Sequence, residues 1–112
     1  MSLDIHEDGP VTIVTVVGDL VIGEPESEFK KAISRLLEQG KAHLLIDCSG
    51  LKIVDSTGLG VLVRALTTSQ NEGGQTKLFG VGPHLKKLLE MTKLDSVFET
   101  FDDRQAAISS FS

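Results

Sequence analysis

The chain has 112 residues, 40% of them hydrophobic and 24% charged, the balance of one ordinary folded domain spanning 1–112 and not of a disordered chain. Eleven basic against sixteen acidic residues give a net charge of −5, which argues against nucleic acid or an anionic membrane as partner. One cysteine, Cys48, excludes an internal disulfide, and no apolar run approaches the ~20 residues that a bilayer requires. The first residues carry neither a basic end nor an apolar core, so no signal peptide is expected and the location expected is cytoplasmic.

Leu3 to Glu7 alternates apolar and polar residues and ends at Gly9-Pro10. The β-branched run Val11 to Val17 follows, so an antiparallel strand pair is expected. After Gly18-Asp19-Leu20 the period changes. Phe29, Ile33, Leu36 and Leu37 form one helical stripe, with Pro25 in the first turn and Gly40 beyond the end. Leu44-Leu45-Ile46 marks a strand covered on both faces, followed by a loop.

Asp55-Ser56-Thr57 opens a second helix, with Leu59, Leu62, Val63 and Leu66 inward, which stops near Glu72-Gly73-Gly74. Thr76 to Val81 is a strand, and Pro83 starts a helix with Leu85, Leu88, Leu89 and Met91 on its apolar stripe. A brief strand at Val97-Phe98-Glu99 and a helix from Asp102 to about Phe111 complete the order β-β-α-β-α-β-α-β-α. The class is α/β, a small mixed sheet with an antiparallel N-terminal hairpin that becomes parallel. Periodicity leaves open whether four helices cover one face or two.

Enzymatic machinery is not evident. There is no G-x-S-x-G elbow, and both Gly58-Leu59-Gly60 and Gly80-Val81-Gly82 fail the dinucleotide fingerprint. His6, His43 and His84 are scattered, without a second ligand at metal spacing, and read as surface or strand-edge residues. Cys48 reads as a core thiol, Lys86-Lys87 as a solvated helix face and Asp102-Asp103 as a helix cap. No cofactor and no metal are expected, and the chain is not expected to be an enzyme.

Asp55-Ser56-Thr57-Gly58 has two readings. Side-chain oxygens of these residue types cap helices, and Gly58 would only permit close packing. A hydroxyl at a helix start is also open to a kinase, and the positive helix end tolerates a phosphate.

Here the sequence resembles the STAS domains, and within them the bacterial anti-sigma factor antagonists. The resemblance rests on Asp55-Ser56-Thr57-Gly58-Leu59-Gly60, on Gly18-Asp19-Leu20 as the turn after the second strand, on Gly73-Gly74, on Pro83-His84-Leu85 leading to Leu88-Leu89-Glu90-Met91, and on Lys93 to Phe98. It implies a partner switch. The unphosphorylated protein binds an anti-sigma factor that is also a serine kinase, which frees the sigma factor. Phosphorylation of Ser56 ends the complex, and a serine phosphatase restores it. ATP belongs to the kinase. The implied contact residues are Asp19, Leu20, Asp55, Thr57, Gly58 and Gly60, with the exposed side of the second helix. Thr57 matches the family's second, less used hydroxyl.

Val21 stands where the family usually has an acidic residue, so the kinase that docks there is expected to differ. A monomer is expected, and a dimer is possible. The alternative is a STAS scaffold or a regulatory subunit of another assembly, either stressosome-like or part of a phospholipid-transport ABC complex. The intact Asp-Ser-Thr-Gly string favours the antagonist.

Overall fold

The computed structural model describes residues 1–111. The elements in chain order are β1 (Ser2–Asp8), β2 (Val11–Leu20), α1 (Glu24–Glu38), β3 (His43–Val54), α2 (Ser56–Asn71), β4 (Gln75–Phe79), α3 (Pro83–Met91), a 3-10 turn (Leu94–Ser96), β5 (Thr100–Phe101) and α4 (Arg104–Ser109). One five-stranded sheet runs β1-β2-β3-β4-β5. The β1–β2 pair is antiparallel and every later pair is parallel, as the element order predicts.

The alternation of side chains along β2 and β3 assigns the helices to both faces. Val14, Val16, Leu44, Ile46, Cys48 and Leu78 face α1, α2 and α3, whose Phe29, Ile33, Leu62, Leu66, Leu85 and Leu89 fill the larger core. Val11, Ile13 and Leu45 point the other way and meet Ala107 of α4, with Phe79, Phe101 and Phe111 around them. Burying each large aliphatic side chain contributes roughly 1.5–3 kcal/mol, so the three-helix face supplies most of the stabilisation.

Polar groups fasten α4. The buried Lys77 ammonium donates to the Ser110 carbonyl and hydroxyl, each at 2.9 Å, and lies 4.7 Å from the centre of the Phe111 ring. Arg104 stands 3.6 Å from the buried carboxylate of Asp47.

Several elements depart from the sequence expectation. Gly18-Asp19-Leu20 is the end of β2 and not a turn, and β3 continues through Val54 where a loop was expected. The two strands remain paired through two irregularities. Thr15 pairs Asp47, Val17 pairs Gly50, and Leu20 pairs Val54, so five steps along β2 match seven along β3. These two bulges scramble the alternation that would have marked a strand.

β4 stops at Phe79, two residues early, because Gly80 turns to φ 71°. The brief strand expected at Val97–Glu99 lies later, at Thr100–Phe101. Phe98 is buried in the three-helix core, and its N–H bonds the Leu94 carbonyl in the preceding turn. Met91 is 71% exposed and not core, since two residues past Leu89 is a rotation of about 200° around a helix. Val63 and Leu37 are half-buried, whereas Val61 and Ala65 are buried. The last helix is shorter than expected, with Asp103 alone as its side-chain cap, accepting from the Ala106 N–H.

Candidate functional site

The site forms where β2 and β3 end and α2 begins. Asp55 is the N-cap of α2, in extended backbone, and its Oδ1 accepts the Gly58 N–H at 2.7 Å. Its second oxygen, Oδ2, accepts the Ile22 N–H at 2.9 Å. One carboxylate therefore joins the helix start to the segment that leaves β2. Hydrogen bonds from Ile22 first and then Gly58 hold its pKa below the ordinary 3.8, because an ionised acceptor is favoured by donors aimed at it.

Gly58 has a steric role. A Cβ built on it would fall 1.9 Å from the Leu20 carbonyl oxygen, well inside any allowed contact. The backbone of α2 thus lies against the end of β2, and only glycine fits. The Asp-Ser-Thr-Gly string and the Gly-Asp-Leu string, more than thirty residues apart in sequence, meet through this contact and the Ile22–Asp55 hydrogen bond.

Ser56 is the first residue of α2 and is exposed. Its hydroxyl therefore stands in solvent at the positive end of a helix of 16 residues. Gly60 is exposed one turn further, with open space where a Cβ would be, and Arg64 and Thr67 continue the same exposed face. Thr57, Asp19 and Asp55 are half-buried around the helix start.

The remaining expected contact residues divide differently. Leu20 is wholly buried in the core and Gly58 is buried on the inner face of α2, so neither is exposed to a partner. Both shape the frame that presents Ser56. Val21, which replaces the family's usual acid, is half-buried, and the exposed residue of that segment is Ile22, at 69%.

His84, expected as a surface residue, also supports the site. Its Nε2 lies 3.3 Å from the Val54 nitrogen and 3.4 Å from the Val54 oxygen, which ties the start of α3 to the residue before Asp55. Nothing in its spacing signalled this, because the contact crosses thirty residues. His43 lies elsewhere, edge-on to Phe111 at 6.0 Å. Cys48 is buried in the middle of β3, and burial raises its pKa to about 12, aided by the charge of Asp47.

Among the described residues no group of three or more His, Cys, Asp or Glu side chains could hold a metal ion, and the site offers an exposed hydroxyl at the start of α2. Among the described residues, no helix is long and apolar enough to cross a membrane.

The STAS-domain family model matches residues 2–107. An anti-sigma-B factor antagonist of Listeria monocytogenes is 38% identical over 99 residues, covering 88% of this chain and 87% of that one. Among solved structures, an anti-sigma factor antagonist from Mycobacterium paratuberculosis superposes with a TM-score of 0.84 at 22% identity, covering 98% of this chain and 92% of that one. The Bacillus cell-fate determinant SpoIIAA in its phosphorylated form gives 0.76 at 16% identity, covering 97% and 99%. The chain belongs to the STAS-domain family, alongside relatives that are anti-sigma factor antagonists.

Proposed function

We propose that the chain is an anti-sigma factor antagonist switched by phosphorylation of Ser56. Its unphosphorylated form binds an anti-sigma factor that is also a serine kinase, and the sigma factor is released. The observation that carries this reading is the exposed Ser56 hydroxyl on the first turn of α2, beside a carboxylate already committed to two backbone donors. A phosphate there adds nearly two negative charges that the helix end accommodates. Asp55, held ionised, cannot relieve the added charge by taking up a proton near neutral pH. The surface changes its charge while the fold persists.

Ser56, Gly60 and the exposed side of α2 form the partner surface in this reading, flanked by Asp19, Asp55 and Thr57. Leu20 and Gly58 position it. The kinase brings ATP, and a serine phosphatase returns the chain to its binding form.

Incubation with ATP and each candidate anti-sigma kinase, followed by intact mass and peptide mapping, tests the assignment. One phosphate on Ser56, lost in Ser56→Ala, is expected. Full labelling of Ser56→Ala would overturn the assignment and move the acceptor to another hydroxyl, Thr57 first. Ser56→Asp is expected to keep a thermal melt within a few degrees of wild type while losing kinase binding. An unfolded Ser56→Asp would show that the serine is chiefly structural. No label with any candidate, from a folded protein, would favour a scaffold or a transport-complex subunit.

A further inference from the structure

The outer edge of β1 offers a seam that is independent of the Ser56 site. β1 is the first strand of the sheet and pairs on one side only, with β2. Six of its seven residues are exposed, Leu3 being half-buried. An edge of this length usually invites another strand, and carboxylates usually discourage it. Here Glu7 is already paired with Lys41 at 2.8 Å, which leaves Asp4 and Asp8 as the charges to be accommodated.

Symmetry limits the possible pairings. A two-fold axis that sets two copies of one strand side by side and antiparallel stands perpendicular to the sheet. Each residue then keeps its face, and residues that oppose each other have the same parity. Centring on Asp4 opposes Asp4 with itself, and centring on His6 opposes Asp4 with Asp8. Centring on Glu7 opposes Glu7 with itself, and centring on Leu3 leaves His6, Glu7 and Asp8 unpaired.

Centring on Ile5 is different. It pairs all seven residues, sets Asp4 of each copy opposite His6 of the other, and opposes no like charges. It also brings the two Ile5 side chains together. Ile5 is 43% exposed and pairs with Val14, on the face that carries the three-helix core, so the contact would extend that core across the seam.

We propose that a second copy of this chain docks antiparallel on β1, in the register centred on Ile5, and joins two sheets into one of ten strands. Ile5 is the apolar contact, and the two Asp4–His6 pairs select the register. Sedimentation velocity on the full chain from roughly 10 µM to roughly 1 mM covers the affinity range of a small seam. A concentration-dependent dimer is expected.

His6→Asp should weaken the dimer by about tenfold, since carboxylate then faces carboxylate at two places where it had faced an imidazole. The double exchange Asp4→His with His6→Asp should restore it, because each carboxylate again faces an imidazole. Ile5→Lys should leave only monomer. Each variant's far-ultraviolet spectrum and melt establish its fold; should Ile5→Lys unfold, the exchange pair still decides. Sedimentation as a monomer throughout would overturn the proposal, and so would a dimer unmoved by His6→Asp. A double exchange that fails to restore association would overturn the register.

Discussion

The Ile22 N–H and the Asp55 carboxylate, thirty-three residues apart, meet at 2.9 Å and close the frame around Ser56. The same carboxylate accepts from Gly58, so neither oxygen can be replaced by a donor without orphaning an N–H. Asp55→Asn keeps the size and removes one acceptor. It should lower the melting temperature by on the order of 5 °C at neutral pH. The folded-state pKa of Asp55 lies below its unfolded value, so this stabilisation is fully present well above pH 3.8 and is lost as pH falls below 3.8 through the folded value. Melts of the pair across pH should therefore converge in acid, and a gap that persists unchanged there would show that the ionised form is not what stabilises.

Gly58 and Gly60 lie on one helix and should respond in opposite ways. Gly58→Ala drives a methyl into the Leu20 carbonyl and should cost about 2–3 kcal/mol. Gly60→Ala meets nothing and should add roughly 0.5–1 kcal/mol through helix propensity. Urea unfolding of the two variants measures both signs. If the partner approaches the exposed helix face as proposed, Gly60→Ala will be the more stable protein and the weaker binder.

A buried hydroxyl pair fastens α2 to β4. Ser69 Oγ and Thr76 Oγ1 are 2.7 Å apart, with the Leu66 carbonyl 3.0 Å from the serine hydroxyl and the Ala65 carbonyl 3.1 Å from the threonine hydroxyl, so two protons serve three contacts and one hydroxyl donates to the other. Thr76→Val should cost about 1–3 kcal/mol by leaving these groups short of partners. Combining it with Ser69→Ala should cost less than the two single changes together. A double-mutant cycle by denaturant unfolding measures that coupling, and strict additivity would show the hydroxyls to be independent.

Cys48 should be silent in the folded protein. It is 2% exposed, and with a pKa of about 12 it stays a thiol across the physiological range. A thiol-reactive chromogen should label it only as fast as the protein opens, and at once in denaturant. Rapid labelling of the native chain would mean that β3 opens locally.

The sequence made the regular elements legible where one period ran undisturbed. Val11–Val17, the α1 stripe through Phe29, Ile33 and Leu36, and Pro83 at the start of α3 all follow from local chemistry. The extension of β3 was hidden because its bulges break the alternation and leave Lys52 and Ile53 exposed. Met91 was misassigned although its spacing, about 200° around the helix from Leu89, already placed it off the stripe. Asp55-Ser56-Thr57-Gly58 was visible as a helix start, and the resemblance singled out Ser56. The roles of Leu20, Ile22 and His84 depend on contacts that no local spacing encodes.

The paired bulges of β3 act together as an even count. One extra residue in a strand turns every later side chain over, and two turn them back. Val54 consequently faces the same way as Ile46 and Cys48, and Asp55 arrives at the height of Ile22. Each bulge holds one residue more than the partner strand, so a single-residue deletion at one of them can remove that bulge and leave Val54 opposite Leu20. A two-residue deletion that removes both would match five steps of β2 with five of β3 and keep the same end pairing. The two bulges thus give this stretch slack in length, over which the meeting of Val54 with Leu20 need not change.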